Sequence, residues 1–382
     1  MAVAVPVFGI PSEVWISRQA RGFAKFDPIL LSWKQHPDAE IDDLPVRWVG
    51  GDFPQPKSVM SRALRKLGHA GAYRLTAAEK MTLSSAIAKI QPDVVLVHFG
   101  WTAIILTQVL PKNIPMILHL HGRDASALLD EPAYRDGLQK VLARIDGLVA
   151  VGQQQLERLE PLGLPKHVAV IPCGAPLSQF AKYPLPSQHI SGDPEHPLRF
   201  ISIGRISEEK GMRESMLAFE RMLNTIPNAQ LTLVGDGPLA AQLTAEVETK
   251  GLARHVRLTG HLAPDEVARE LASSHVYLQH SRKHRGWIEG FGVTLTEAGA
   301  TGLPLLASAS GGLVDQIVEG ENGYLFPEGD IDAQTDLMLK LAKDPALRTE
   351  LGANARRLAA RFDSAILTQN LERFVAETID SR

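Results

Sequence analysis

The chain has 382 residues, 45% hydrophobic and 22% charged, with a net charge of −3 and a single cysteine, Cys173. The length exceeds one typical domain and predicts two, with the composition of a soluble globular protein. The slight acidity argues against a nucleic-acid partner drawn by a basic field, and one cysteine excludes an intrachain disulfide, as suits a reducing cytoplasm.

In chain order, residues 1–7 show no positive region and no small-residue cleavage site, so no signal peptide is predicted. Segment 57–80 carries Lys57, Arg62, Arg65, Lys66, Arg74 and Lys80 against Glu79, with Val59, Leu64, Leu67 and Tyr73 interleaved. Such a stretch either lies on an anionic membrane or is a solvated helix face. The longest nearly apolar run, 94–106, is broken by His98, Gly100 and Thr102. It falls short of the ~18–20 residues a membrane-spanning helix needs. The expected location is therefore cytoplasmic, with peripheral contact at the membrane face left open.

Short β-branched runs at 46–49, 93–98, 115–120, 147–151 and 168–171 read as strands in the first half. Runs at 198–203, 230–234, 255–258, 276–279 and 304–307 do so in the second. Several are apolar almost throughout, as buried parallel strands are. Between them, Met216, Phe219 and Leu223, and Leu239, Leu243 and Val247, recur at helical spacing. This alternation predicts doubly wound α/β folding. The stretch 174–197 holds Pro176, Pro184, Pro186, Pro194 and Pro197 and reads as a linker. The expected domains are 1–185 and 186–363, with a final helix from 364 packing back on the first. Ligands of such folds sit at the carboxyl ends of the strands, and with two domains the cleft between them is the expected site.

Several constellations carry chemistry. His119-Leu120-His121-Gly122-Arg123-Asp124 closes a predicted strand. Its two histidines lack the third and fourth ligands of a zinc site, and His119 reads as a core side chain. Gly204-Arg205-Ile206-Ser207-Glu208-Glu209-Lys210-Gly211 follows a strand and opens a helix. Arg205 offers a planar fork and Lys210 a movable point charge, both suited to phosphate; a solvated basic pair is the plainer reading. Gly235-Asp236-Gly237-Pro238-Leu239-Ala240 spells G-x-G-x-x-A. Pro238 removes an N–H where a pyrophosphate would want one, so a tight turn is expected instead of a dinucleotide site. Arg282-Lys283-His284-Arg285 is a second basic cluster, either for acceptor phosphate or merely exposed. In Glu289-Gly290-Phe291-Gly292-Val293-Thr294-Leu295-Thr296-Glu297, a Gly-x-Gly loop leads into a helix start between two carboxylates. Helix N-terminal amides favour phosphate, while carboxylates accept from sugar hydroxyls, so the pattern fits a sugar nucleotide. Asp330-Ile331-Asp332 spells the D-x-D of metal sites but precedes a helical pattern, so N-capping is expected.

These elements, with His280-Ser281, Gly302-Leu303-Pro304, Gly311-Gly312, Asn322-Gly323 and Pro327-Glu328-Gly329-Asp330, resemble the donor region of retaining GT-B glycosyltransferases of family 4. Ser12-Glu13-Val14-Trp15-Ile16-Ser17-Arg18-Gln19 is similar to the S-E-T-F-I-x-R-Q segment of exopolysaccharide-type members, with Val14 and Trp15 departing from it. Gly9 alone remains of the glycine-rich first loop seen in many relatives.

The resemblance implies a GT-B fold of two Rossmann-like domains facing a central cleft. It implies transfer of a sugar from a nucleotide diphosphate sugar, UDP favoured over GDP or ADP, to a saccharide or lipid-linked acceptor. No cofactor and no metal are implied, Arg205 and Lys210 supplying the counter-charge. Glu289 would hold sugar hydroxyls, Glu297 the ribose, and His121 would contact the donor sugar or flank the reacting centre. Gly235, Gly290, Phe291, Gly292 and Val293 would line the donor. Glu13, Arg18, Arg123 and Asp124 fall on a possible acceptor side. The implied route is front-face attack with the leaving phosphate as base. A sugar-nucleotide epimerase and a non-catalytic sugar-nucleotide-binding subunit are the alternatives.

Overall fold

A computed structural model describes residues 1–10, 13–37, 44–49, 73–184 and 196–382. Segment 57–80 lies outside the described residues apart from 73–80. The chain forms two compact units, Met1–Cys173 with Ser364–Arg382, and Gly174–Asp363.

The first unit is built on seven parallel strands in the order β3-β2-β1-β4-β5-β6-β7. They are β1 (Ala2–Phe8), β2 (Ile29–Gln35), β3 (Val46–Trp48), β4 (Val95–His98), β5 (Met116–His119), β6 (Gly147–Ala150) and β7 (His167–Val170). β4, β5 and β6 are buried along their whole length, as sequences apolar on both faces require. The strand order turns back at β1, between β2 and β4, so a crevice opens at the carboxyl ends of β1 and β4.

Helix Ser364–Asp380 belongs to this unit. Buried Glu372 accepts from the Ala24 and Lys25 amides at 2.8 and 2.5 Å. Past the helix end, Arg382 Nε reaches Asp146 Oδ1 at 3.1 Å, and Asp146 Oδ2 accepts from Met116 N at 2.9 Å. A residue near the C-terminus thus ties to the start of β5.

The second unit has six parallel strands in the order β10-β9-β8-β11-β12-β13. They are β8 (Leu198–Ile203), β9 (Ala229–Val234), β10 (Val256–Leu258), β11 (Val276–Gln279), β12 (Leu305–Ser308) and β13 (Gly323–Phe326). The order reverses between β8 and β11, which sets the ligand end of this sheet beside residues 204 and 280.

Two features depart from the sequence expectation. The unit boundary falls at 173, not 185. Helix Leu177–Ala181 lies inside the proline-rich stretch and buries Leu177 and Phe180 among Leu271, Leu295 and Leu303 of the second core, so burial assigns these residues to that unit. Strands β1, β2 and β13 were also not expected. Pro6 interrupts β1, Ser32 and Lys34 break the apolar run of β2, and β13 begins at Gly323. A Cβ at Gly323 would collide with the Leu305 carbonyl, so its glycine serves strand pairing. Among the described residues no helix is long and apolar enough to cross a membrane.

Replacing Glu372 by Ala leaves two amides unpaired, which costs about 1–3 kcal/mol. Urea unfolding of the variant should show the transition of the first unit shifted to lower denaturant. An unshifted transition would mean that the C-terminal helix is held by its apolar face alone.

Candidate active site

The second unit gathers its polar side chains at the carboxyl ends of β8 and β11. After β8 the chain turns through Gly204 and Arg205 to a short 3-10 turn, Glu208–Lys210, and helix Met212–Leu223. Between them Gly211 lies at φ 60, and a Cβ there would collide with the His280 carbonyl. Only glycine tolerates both the left-handed backbone and this approach. The approach sets Lys210 against Glu289: Nζ lies 2.6 Å from Oε2. Ser281 Oγ donates to the same oxygen at 2.8 Å and Gln279 Nε2 at 3.2 Å. Glu289 is 7% exposed and Lys210 25%. Glu289 Oε1 accepts no hydrogen bond from the described residues. Lys210 Nζ also stands 5.1 Å from the centre of the Trp287 ring. A pair this desolvated is weak support for stability, so its placement at the sheet's ligand end calls for another explanation.

The loop after Glu289 is fixed through its backbone. A Cβ on Gly311 would strike the Glu289 carbonyl and one on Gly312 the Gly290 carbonyl. Gly312 N donates to Glu289 O at 3.1 Å. Gln316 Nε2 holds the Phe291 carbonyl and, at 3.3 Å, the Gly292 carbonyl. Gln316 Oε1 in turn accepts from Thr296 at 2.6 Å. Gly292, at φ 82, starts helix Val293–Thr301, whose first amides have no intrahelical partner and suit an anion. Glu297 lies on that helix, half-buried. The Tyr277 hydroxyl donates to Thr294 Oγ1 at 2.7 Å. Its ionisation is pushed well up by burial, with the charges of Glu297 and Glu289 adding, so both carboxylates act on one neighbourhood.

Neighbouring polar groups serve the scaffold. His280 is buried, with Nδ1 2.7 Å from Gln334 Oε1 and Nε2 accepting from Gly329 N at 3.0 Å. Asp330 Oδ1 caps helix Ile331–Lys343 through Ala333 N at 2.8 Å, and Asp332 pairs with Arg221. The D-x-D residues are thus engaged as a cap and a surface ion pair. Arg282 pairs with Glu208 and, at 3.2 Å, with Glu214, so it is no spare cation for an acceptor phosphate.

In the first unit the turn after β5 places His121 8% exposed. Its Nε2 lies 3.1 Å from His98 Nδ1 and its Nδ1 3.5 Å from Cys173 Sγ. Trp15 packs on it, ring centres 4.2 Å apart. Asp124 is fully buried, accepting from His121 N at 3.0 Å and Gly100 N at 3.2 Å. Burial raises its carboxyl to about 6 despite those bonds. Burial, with Asp124 adding, raises the Glu13 carboxyl to about 7. Phe99 takes φ 72 to turn the chain after His98, a strained conformation for an aromatic residue. Gly100 follows where a Cβ would collide with the Tyr134 hydroxyl.

The profile of "Glycosyl transferases group 1" matches residues 187–358, and that of "Glycosyltransferase Family 4" matches residues 48–179. The chain belongs to the group 1 glycosyltransferases. It is 26% identical over 301 residues to the amylovoran biosynthesis glycosyltransferase AmsK of Erwinia amylovora, covering 76% of this chain and 72% of that one. It is 25% identical over 295 residues to the putative colanic acid biosynthesis glycosyltransferase WcaL of Escherichia coli K12, covering 76% and 70%. Among solved structures, sucrose-phosphate synthase of Thermosynechococcus elongatus superposes over 100% of both chains with a TM-score of 0.76 at 19% identity. Anabaena HepE in complex with UDP-glucose does so with a TM-score of 0.74 at 17% identity. These likenesses show the GT-B fold.

In this glycosyltransferase the structure brings Lys210, Glu289, Gly290, Phe291, Gly292 and Val293 together at one sheet end. Phe291 itself is 3% exposed and packs edge-on against Phe362, 5.1 Å away, so its side chain anchors the loop and is not free to meet a ligand. Arg205 is exposed and makes no hydrogen bond or ion pair among the described residues. Gly235 is explained by packing, since its Cβ would collide with the Gly204 carbonyl. Asp124 is corrected from an acceptor contact to an internal brace, because both its oxygens serve buried amides. Glu13 is half-buried with Oε2 unpartnered among the described residues, Arg18 is half-buried, and Arg123 is exposed. Sequence reasoning missed Ser281 and Gln279 as partners of Glu289. Their signal was their place at the end of β11, eight and ten residues upstream.

Replacing Gly312 by Ala should move the Gly290 carbonyl and with it Glu289. Calorimetric titration with a sugar nucleotide should show affinity lowered by roughly tenfold or more, about 1.4 kcal/mol. Unchanged affinity would separate the Gly312 contact from the binding loop.

Proposed function

We propose that the enzyme transfers a sugar, with retention of configuration and without a metal ion, from a UDP sugar to a saccharide or glycolipid acceptor. One observation carries the reading. Glu289 spends one oxygen on Lys210, Ser281 and Gln279 and keeps the other for a ligand, while Lys210 has ammonium protons to spare. The arrangement suits a sugar hydroxyl at Glu289 beside a diphosphate at Lys210. Exposed Arg205 and the amides of helix Val293–Thr301 would share that diphosphate. HepE structures that hold UDP and UDP-glucose, and relatives named for polysaccharide biosynthesis, support the choice of donor and of acceptor class.

The bond between C1 of the sugar and the diphosphate oxygen breaks, and negative charge grows on the leaving phosphate. Lys210, Arg205 and the helix amides stabilise that charge electrostatically. The acceptor oxygen attacks C1 from the side the diphosphate leaves, and its proton passes to a phosphate oxygen. The products are the nucleoside diphosphate and a glycoside of unchanged anomeric configuration. A carboxylate neutralised by Lys210 and two further donors is a poor nucleophile, which favours this route over a covalent glycosyl-enzyme. His121 takes the donor sugar by family resemblance, and Glu297 the ribose.

Glu289→Ala should lower transfer at least ~100-fold, as loss of a transition-state partner of several kcal/mol does, with circular dichroism and melting temperature kept. Near-normal turnover would reject the role. Excess EDTA should leave most activity in place; complete loss restored by magnesium or manganese would revive metal catalysis. Proton NMR of the product should show the donor's anomeric configuration. Nucleotide released only with acceptor distinguishes a transferase from an epimerase, which isomerises the donor alone, and from a binding subunit, which releases none.

A further inference from the structure

The first unit buries three imidazoles together. β4 ends at His98 and β5 at His119, which face each other in register, and His121 follows two residues later. One ring nitrogen of each lies within 4.8 Å of the others, and all three side chains are buried. The remaining nitrogens show how the rings are oriented. His119 Nε2 is 3.2 Å from the Ile171 carbonyl, which only accepts, so Nε2 carries the proton and Nδ1 a lone pair. That Nδ1 has no hydrogen-bond partner among the described residues, and neither has His98 Nε2. His121 Nδ1 faces Cys173 Sγ, which leaves Nε2 pointing at His98 Nδ1. A hydrogen bond within the His98–His121 pair uses one proton and leaves His119 Nδ1 orphaned in a place where an unpartnered polar atom is costly.

We infer that His98, His119 and His121 form a three-imidazole site for a borderline transition ion, Zn2+ above all, with a water in the fourth position. Three neutral imidazoles with one open position are a donor set that Zn2+ favours. The Ile171 carbonyl on His119 and the Cys173 sulfur on His121 act as the outer contacts that fix ligand orientation. Burial holds all three rings neutral, the ligating form, pushing His119 down to about 3 and the other two well below their usual range. Trp15 covers the group, its ring centre 4.2, 5.3 and 6.3 Å from those of His121, His98 and His119. Two carboxylates lie within electrostatic range to offset the ion's charge. Asp124 and Glu13 both act on Cys173, and Glu13 Oε2 is itself buried without a partner among the described residues. The site differs from the donor half-site in residues and in unit, and binding the ion does not depend on the proposed reaction.

The test uses the full chain, stripped with EDTA and titrated with Co2+ and then Zn2+. One equivalent of Co2+ should bind with the visible bands of a tetrahedral ion, and Zn2+ should displace it. His98→Gln and His119→Gln should each weaken binding by at least ~10–100-fold, the loss that removing even an outer partner of a ligand brings, with the melting temperature as the folding control. Should either variant fail to fold, X-ray absorption of the zinc-loaded native chain decides: three imidazole nitrogens at about 2.0–2.1 Å are expected. The absence of saturable binding, binding undiminished in both variants, or a shell lacking imidazoles would overturn the site. If His121 serves the donor sugar as proposed above, zinc loading also lowers transfer and EDTA restores it. Loading without loss of transfer would overturn that role of His121 and leave the metal site standing.

Discussion

The ligand end of the second unit of this glycosyltransferase is organised around one carboxylate oxygen. Glu289 Oε2 takes hydrogen bonds from Lys210, Ser281 and Gln279, the lysine from the turn after β8 and the other two from the end of β11. A buried carboxylate needs such partners, since desolvation otherwise favours its neutral form. The same bonds orient Glu289 and leave it one oxygen to offer. Glycines make this possible. Gly211 lets the lysine loop lie on the His280 backbone, and Gly311 and Gly312 let their turn lie on the Glu289–Gly290 backbone. Side chains at any of the three would hold the loops apart.

The two units apply similar sheets to different ends. In the second, polar side chains at the strand ends are paired with one another through charge. In the first, the strand ends carry neutral imidazoles roofed by an indole, and the acid among them, Asp124, is spent on backbone amides. That contrast explains why Asp124 braces the turn carrying His121 instead of meeting an acceptor. The strained Phe99 at the end of β4 belongs to the same turn, where Gly100 yields room to Tyr134.

Much of the fold was legible because buried parallel strands are continuous apolar runs. The ten expected strands each overlap one of the thirteen observed among the described residues. β1, β2 and β13 were hidden by Pro6, by Ser32 and Lys34, and by Gly323. The Glu289–Gly292 loop was legible because glycine positions and a helix start are local signals. Its contact with Lys210 across 79 residues was not legible, since only tertiary structure creates it. The histidine cluster was illegible for the same reason. His119 and His121 are neighbours in sequence, whereas His98 joins them only through the register of β4 on β5. Asp330 was read as a cap from its place before a helix, and its bond to Ala333 N bears that out.

In the proposed reaction Glu289 reads the sugar and not the diphosphate. The direct measurement is calorimetric titration of the native chain and of Glu289→Gln with UDP and with UDP-glucose. The variant should bind UDP within a few-fold of the native chain and lose the extra affinity that the sugar confers. A variant that loses UDP and UDP-glucose binding to the same degree would contradict it, and would make Glu289 a support for the phosphate site alone.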